Sequence, residues 1–228
     1  RPTLAAGEVH VYAAAQDVPP EPALLELLSP DERARAGRFL AERDRRRFAV
    51  TRASLRRLLG GYLGQPPAGL RFSYGERGKP SLTGAGPRFN VTHSGGLALL
   101  AFTPGHELGV DVEPLRVIED AAALGDRFFS PAEASVLRGL REPERSRAFL
   151  RGWTRKEAFI KATGDGLSRP LDEFEVPLLP GEPPRLLRLA GDPQAAARWW
   201  LQDLAPATGF AAALAVEERP AGVRCFRL

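Results

Sequence analysis

The chain has 228 residues, 43% of them hydrophobic, with 23 glycines and 21 prolines; this length can bury a full core as one large domain or as two of about 110 residues, and the glycine and proline content stays below the level that marks disorder. Lys and Arg number 32 against 28 Asp and Glu, a net charge of +4, which suits an anionic ligand or an acidic partner better than a long nucleic-acid track. The single cysteine, Cys225, excludes an internal disulfide and a cysteine-rich zinc site, and no apolar run approaches the roughly 18 residues of a membrane span, so a soluble, cytoplasmic protein is expected; the absence of methionine reads as a chain that starts downstream of its native initiator.

In chain order, EVHVYAAA (8–15) alternates and is rich in Val and Tyr, the pattern of a strand. PALLELLS then reads as helical, followed by a longer helical pattern from about Asp31 to Leu63. In it Phe48, Leu55, Leu58, Leu59, Tyr62 and Leu63 recur at helical spacing, with the arginines between Arg33 and Arg57 mostly on the opposite face and Gly60, Gly61 and Gly64 at its end. That basic face is either an ordinary solvated surface or the positive pole of an anion site. The segments LRFSYG, RFNVTHS, LALLAFT and ELGVDVEP follow as strands, separated by Gly- and Pro-containing turns.

A second block opens with FFSPAEASVLRGL, where Ser130 as N-cap, Pro131 at the first helical position and Glu133 three residues after the cap form a capping box. A long helix from about Glu144 to Thr163 comes next, and then FEVPL, PRLLRLAG, ARWWLQDL, GFAAALAVEE and VRCFRL, all strand-like. The expected fold is therefore α+β: two similar halves, residues 1–106 and 107–228, packed with pseudo-twofold symmetry and a ligand cleft between them.

In LGVDVEP, residues two apart on a strand face the same way, so Asp111 and Glu113 share a face about 6.6 Å apart at Cα while Val110 and Val112 enter the core. Two carboxylates on one face are either the outside of a half-exposed amphipathic strand or a site for a hard cation such as Mg²⁺, which takes few carboxylates and bridges to phosphate. A site of the latter kind calls for a third acid. In WTRKEAFIKATGDGLS (153–168), Glu157 precedes Lys161 by four residues, a spacing usual for a solvated salt bridge. Both, however, lie at the margin of the buried stripe set by Phe149, Trp153 and Ile160. An acid held there can complete a metal site or act as a base, and the lysine can neutralise a phosphate oxygen. FNVTHSG brings Thr92 and His93 beside glycine, where hydroxyl, imidazole and backbone N–H groups can meet an anion, and GERGKP puts Arg77 and Lys79 in a turn that can clamp phosphate. The chain has no Walker loop, Rossmann glycine fingerprint, HExxH or zinc spacing.

Taken together and in order, GKP, FNVTHSG, LGVDVEP, FFSPAE and WTRKEAFIKATGDGLS resemble the 4′-phosphopantetheinyl transferase superfamily, in its long, two-halved Sfp type; the resemblance spans roughly residues 30 to 175. It implies an enzyme that moves the phosphopantetheine arm of coenzyme A onto a serine of an apo acyl or peptidyl carrier protein and releases adenosine 3′,5′-bisphosphate. It further implies that Asp111, Glu113 and Glu157 hold Mg²⁺ or Mn²⁺, with Glu157, Lys161 and Asp111 as the catalytic set. Glu157 would be the base for the serine and Lys161 would steady the pyrophosphate. Thr92, His93, Lys79 and Arg77 would contact phosphates of coenzyme A, and Arg35, with Arg47 as a helper, the nucleotide end. The chain departs from the family pattern at Thr92, often a serine, and at Glu32, often a lysine. A monomer is implied, with a carrier-docking surface on the segment from Val117 to Arg138, and neither nucleic acid nor membrane as partner. Two other classes fit parts of the pattern: a metal-dependent phosphohydrolase using the same acids, and a non-catalytic nucleic-acid-binding module built on the arginine-rich helix.

Overall fold

A computed structural model describes residues 2–75, 77–166, 169–192 and 194–228. Glu76 of GERGKP and the last two residues of the 153–168 stretch lie outside the described residues. The chain divides into one unit of residues 1–105 with 221–228 and a second of residues 106–220. The last strand-like segment therefore belongs with the first unit and not, as its place in the sequence suggests, with the second.

The first unit begins with β1 (Glu8–Ala15) and runs through α1 (Pro22–Leu25), α2 (Pro30–Ala36), α3 (Glu42–Leu63), β2 (Phe72–Tyr74), β3 (Pro80–Leu82), β4 (Arg88–Ser94) and β5 (Leu97–Thr103). The single long helix expected from Asp31 is two helices. The Ser29 amide donates to the Glu32 carboxylate at 3.0 Å, one half of a capping box that opens α2, and Gly37 closes the helix; α3 starts afresh with Glu42 and Asp44 in its first turn, where the helix dipole favours acids. Gly60 and Gly61 lie inside α3, and the stop is Gly64, left-handed at φ 66°. A Cβ on Gly60 would come within 2.8 Å of the Gln65 carbonyl oxygen, so only glycine lets the chain fold back there. Leu55, Leu58 and Leu59 of α3 pack on Tyr12, Leu100 and Phe102 of the sheet, the helical stripe meeting the strand alternation.

The second unit contains β6 (Leu108–Pro114), α4 (Ala121–Phe128), α5 (Pro131–Gly139), α6 (Glu144–Thr163), β7 (Phe174–Glu175), β8 (Arg188–Leu189), β9 (Trp199–Leu204) and β10 (Phe210–Glu217). β6, β10 and β9 form an antiparallel sheet in that order, and α6 lies across β6 and β10. The capping box at Ser130 and Glu133 is present with both of its bonds, and Gly164 ends α6 in the left-handed conformation. FEVPL and PRLLRLAG supply only the two-residue strands β7 and β8, which pair with each other; the prolines around them cannot donate to a longer ladder. The chain then returns as β11 (Gly222–Arg227), parallel to β1, completing the order β11-β1-β5-β4.

Candidate active site

The second unit carries the acids. Opposite residues in an antiparallel pair point to the same face, and Asp111 pairs with Ala213 and Glu113 with Ala211. Ala213 is in the core under α6, with Ala211 packed against it, so both acids face that helix. Asp111 is thus buried, its side chain 5% exposed, and Val110 and Val112 on the other face are fully buried too. β6 is covered on both faces, which rules out the half-exposed amphipathic strand.

Gly109 sets how closely strand and helix approach. A Cβ there would lie 2.1 Å from the carbonyl oxygen of Ala158 and 2.3 Å from the amide nitrogen of Ala162, so β6 rests directly on the backbone of α6. That contact brings the helix side chains to Asp111. Lys161 Nζ donates to Asp111 Oδ1 at 2.6 Å, across 50 residues of sequence, a short charge-assisted bond. The lysine that the sequence pairs with Glu157 at i,i+4 thus has its ammonium on the strand acid. Glu157 lies one turn before Lys161, its Oε1 buried without a hydrogen-bond partner. Burial pushes the Glu157 carboxyl above the usual glutamate range; Lys161 opposes this, and the charges of Asp111 and Glu113 add to it.

These three carboxylates lie close enough to repel one another, with an ammonium on the most buried of them. Among the described residues no three His, Cys, Asp or Glu side chains are drawn together as a ready-made metal cage. The donor set nevertheless suits a hard divalent cation: all three ligands are carboxylate oxygens, and an unbonded buried oxygen on Glu157 is one that a cation would satisfy.

The two residues before Glu157 fix how the helix is turned. Arg155, 1% exposed, donates bidentately to Asp203 at 2.8 and 2.6 Å and to the Pro177 carbonyl at 2.6 Å. Lys156, fully buried, pairs with Glu133 at 2.8 Å and donates to the carbonyls of Leu171 and Phe174. Glu133 also accepts from the amides of Ser130 and Val176. Each cation is satisfied on a different side of α6, and rotating the helix about its axis would break both sets. Sequence reading missed these anchors. The available signal was two cations inside an otherwise buried helical stretch.

The first unit carries the basic residues. A pocket of about 520 Å³ is lined by Arg35, Arg47, His93, Phe39, Phe48 and Tyr74, among others. Arg35 is exposed and lies over the Phe48 ring at 5.1 Å. Arg47 is held in a bidentate pair with Asp17 at 2.7 Å on both arms, so its charge is partly neutralised. Gly78 and Pro80 line the same pocket and flank Lys79; Arg77 is the exposed neighbour in that turn. Thr92 and His93, adjacent on β4, point to opposite faces: His93 is exposed at the pocket, whereas Thr92 is 5% exposed on the side away from α3. The structure therefore brings Arg35, Arg47 and His93 to one pocket and leaves Thr92 out of it.

Glu32, where the family pattern often has a lysine, is 4% exposed and paired with Arg52 and Arg56. Arg52 in turn donates to the Tyr74 hydroxyl at 3.1 Å and stacks on Phe72 at 3.9 Å. Glu32 thus braces the pocket wall, and Tyr74 joins that wall through packing, with no local pattern in the sequence to mark it.

Two family models match the chain: one described as the 4′-phosphopantetheinyl transferase superfamily over residues 107–215, and one described as 4′-phosphopantetheinyl transferase, N-terminal, over residues 22–105. The 4′-phosphopantetheinyl transferase HetI of Nostoc sp. is 43% identical over 221 residues, covering 94% of this chain and 90% of that protein. The 4′-phosphopantetheinyl transferase Sfp of Bacillus subtilis is 33% identical over 155 residues, 68% of each chain. The 4′-phosphopantetheinyl transferase ffp, also of Bacillus subtilis, is 34% identical over 156 residues, again 68% of each.

Proposed function

The chain belongs to the 4′-phosphopantetheinyl transferase superfamily, in its two-halved Sfp type, and from that membership we propose how its residues divide the work. The enzyme transfers 4′-phosphopantetheine from coenzyme A to a serine of an apo carrier protein. The phosphohydrolase and nucleic-acid-binding readings find no support among these relatives.

In the reaction the serine Oγ forms a bond to the pantetheine-side phosphorus of the coenzyme A pyrophosphate. The bond from that phosphorus to the bridging oxygen breaks, and adenosine 3′,5′-bisphosphate leaves with the electron pair. Glu157 takes the serine proton; a carboxylate that burial and its acidic neighbours make more basic than usual is suited to that task. Lys161 places a positive charge against a pyrophosphate oxygen, where negative charge gathers as the leaving group departs. Asp111, Glu113 and Glu157 would hold Mg²⁺, which when bound supplies charge neutralisation to the pyrophosphate. Arg35 and His93, with Lys79 and Arg77 in the adjoining turn, bind the phosphates and nucleotide end of coenzyme A, and Arg47 shapes that pocket from its pair with Asp17. Thr92, buried on the other face of β4, would offer its hydroxyl to a coenzyme A phosphate from that side.

The observation that carries the reading is the Lys161–Asp111 contact beside the unbonded oxygen of Glu157: an acid–base–acid cluster joined by a strand and a helix distant in sequence. No helix among the described residues is long and apolar enough to cross a membrane. The free Cys225 fits a reducing compartment, and we place the reaction in the cytoplasm, carried out by a monomer without nucleic acid. The test is to incubate the protein with coenzyme A, Mg²⁺ and an apo carrier and to weigh the carrier. A mass gain of one phosphopantetheine is expected; cleavage of coenzyme A with no gain would make the protein a hydrolase.

A further inference from the structure

The ammonium of Lys161 rests on a carboxylate that the proposed reaction assigns to a metal. Asp111 is buried under α6, with a side-chain exposure of 5%. A carboxylate in such a place is costly to leave without a countercharge. Lys161 provides it from the last turn of the helix, at 2.6 Å. Resting on the division of roles above, we propose that Lys161 is a placeholder: it holds Asp111 until a divalent cation arrives, then gives up that carboxylate and moves onto the phosphate of the substrate.

The local construction suits an exchange of this kind. Gly109 seats β6 directly on the backbone of α6 from Ala158 to Ala162, so the exchange needs no movement of either backbone. The mobile element is the lysine side chain, four methylenes ending in a compact charge that is 28% exposed and able to turn towards solvent or ligand. A hard divalent cation needs oxygen contacts near about 2.1 Å, and a cation seated on either oxygen of Asp111 would lie within a few ångströms of the ammonium held on Oδ1. A cation approaching Asp111 also meets the repulsion of Lys161 in a partly buried setting, where charges are weakly screened. Glu157 and Glu113 supply the opposing attraction, their charges acting on the same cluster.

Two consequences follow from the exchange. Without an anionic ligand, the lysine opposes metal binding. With a pyrophosphate present, the displaced ammonium gains a partner, so metal and coenzyme A favour each other's binding.

The experiment measures binding of Mn²⁺ by electron paramagnetic resonance of the free ion, with and without coenzyme A, for the full chain and for Lys161→Gln, Lys161→Met, Lys161→Arg and Asp111→Asn. Circular dichroism and cooperative thermal unfolding check each fold, and Lys161→Met keeps the apolar stem should the glutamine variant fail to fold. In the absence of coenzyme A, both neutral variants should bind Mn²⁺ about tenfold or more tightly than the parent chain, and Lys161→Arg should stay near the parent. Adding coenzyme A should tighten Mn²⁺ binding more in the parent than in Lys161→Gln. Equal or weaker Mn²⁺ binding by the folded neutral variants without coenzyme A overturns the placeholder, as does a gain that survives when Asp111→Asn is added to Lys161→Gln. A chain that transfers phosphopantetheine but shows no such gain keeps its proposed reaction and loses this role for Lys161. A chain that shows the gain and transfers nothing does the reverse.

Discussion

A Cβ on Gly109 would lie 2.1 Å from the carbonyl oxygen of Ala158, so the strand with two of the acids and the helix with the third acid and the lysine meet backbone to backbone. That contact, with α6 held in its rotation by Arg155 and Lys156, brings Asp111, Glu157 and Lys161 to one place. Any side chain at position 109 has to push the two elements apart, because the atoms in its way are main-chain atoms.

Gly109→Ala should therefore lose about 1–3 kcal/mol of stability, the cost of forcing a methyl into a filled space, and should lose activity beyond what the folded fraction explains. Urea unfolding and a transfer assay on the folded protein measure the two effects. Wild-type stability in this variant would mean that β6 and α6 can separate without penalty.

Glu157→Gln keeps the shape of the side chain but cannot accept a proton. The variant should fold, retain coenzyme A binding and transfer phosphopantetheine at a rate lower by roughly 10²–10⁴, read as carrier mass against time. A solvated surface pair would behave otherwise: either alanine variant, at 157 or 161, would cost at most about 0.5 kcal/mol and leave the rate unchanged.

Stability at low pH should follow Glu32. Burial alone would raise its carboxyl, but bonds from Arg56 and Arg52 and from the Ser29 amide outweigh burial and hold it below the ordinary glutamate range. A depressed carboxylate stabilises the fold fully above its unfolded value, near pH ~4.3, and loses that contribution as pH falls through the lower folded value. Glu32→Gln should cost about 3 kcal/mol or more at pH 7, since it leaves the buried Arg56 without its acid. The gap to the parent chain should narrow as both are titrated into acid, and denaturant titrations across pH measure it; a gap that stays constant would remove Glu32 from the acid-sensitive set.

Docking of the carrier, proposed for the segment from Val117 to Arg138, combines exposed apolar side chains with basic ones. Val117 is 60% exposed and Val136 36%, with Arg127 and Arg138 on the helices between and beside them. Affinity for an acidic apo carrier should fall between about 0.05 M and about 0.5 M salt, as exposed charges are screened, and Val117→Asp should weaken binding further without changing coenzyme A affinity. Surface plasmon resonance reads both; binding indifferent to salt and to Val117→Asp would move the docking site elsewhere.

Much of this architecture was legible in the sequence because it is set by local chemistry. The span Glu144–Thr163 and its stop at Gly164 follow from helical spacing and a left-handed cap, and the capping box at Ser130 from three side chains within one turn. The common face of Asp111 and Glu113 follows from the two-residue period of a strand. Periodicity also put Glu157 and Lys161 at the edge of the buried stripe. Which cation meets which acid is a different matter, because it depends on elements brought together from distant parts of the chain. Only the tertiary structure gave Lys161 to Asp111, Arg155 to Asp203 and Lys156 to Glu133. It also decided that His93, and not Thr92, lies on the side of β4 that faces α3, and made Glu32 a brace for Arg52 and Arg56. A charged side chain close to the core takes the nearest countercharge that the packing offers, since leaving it buried alone costs more than any local preference supplies, and that neighbour is set by how strand and helix pack.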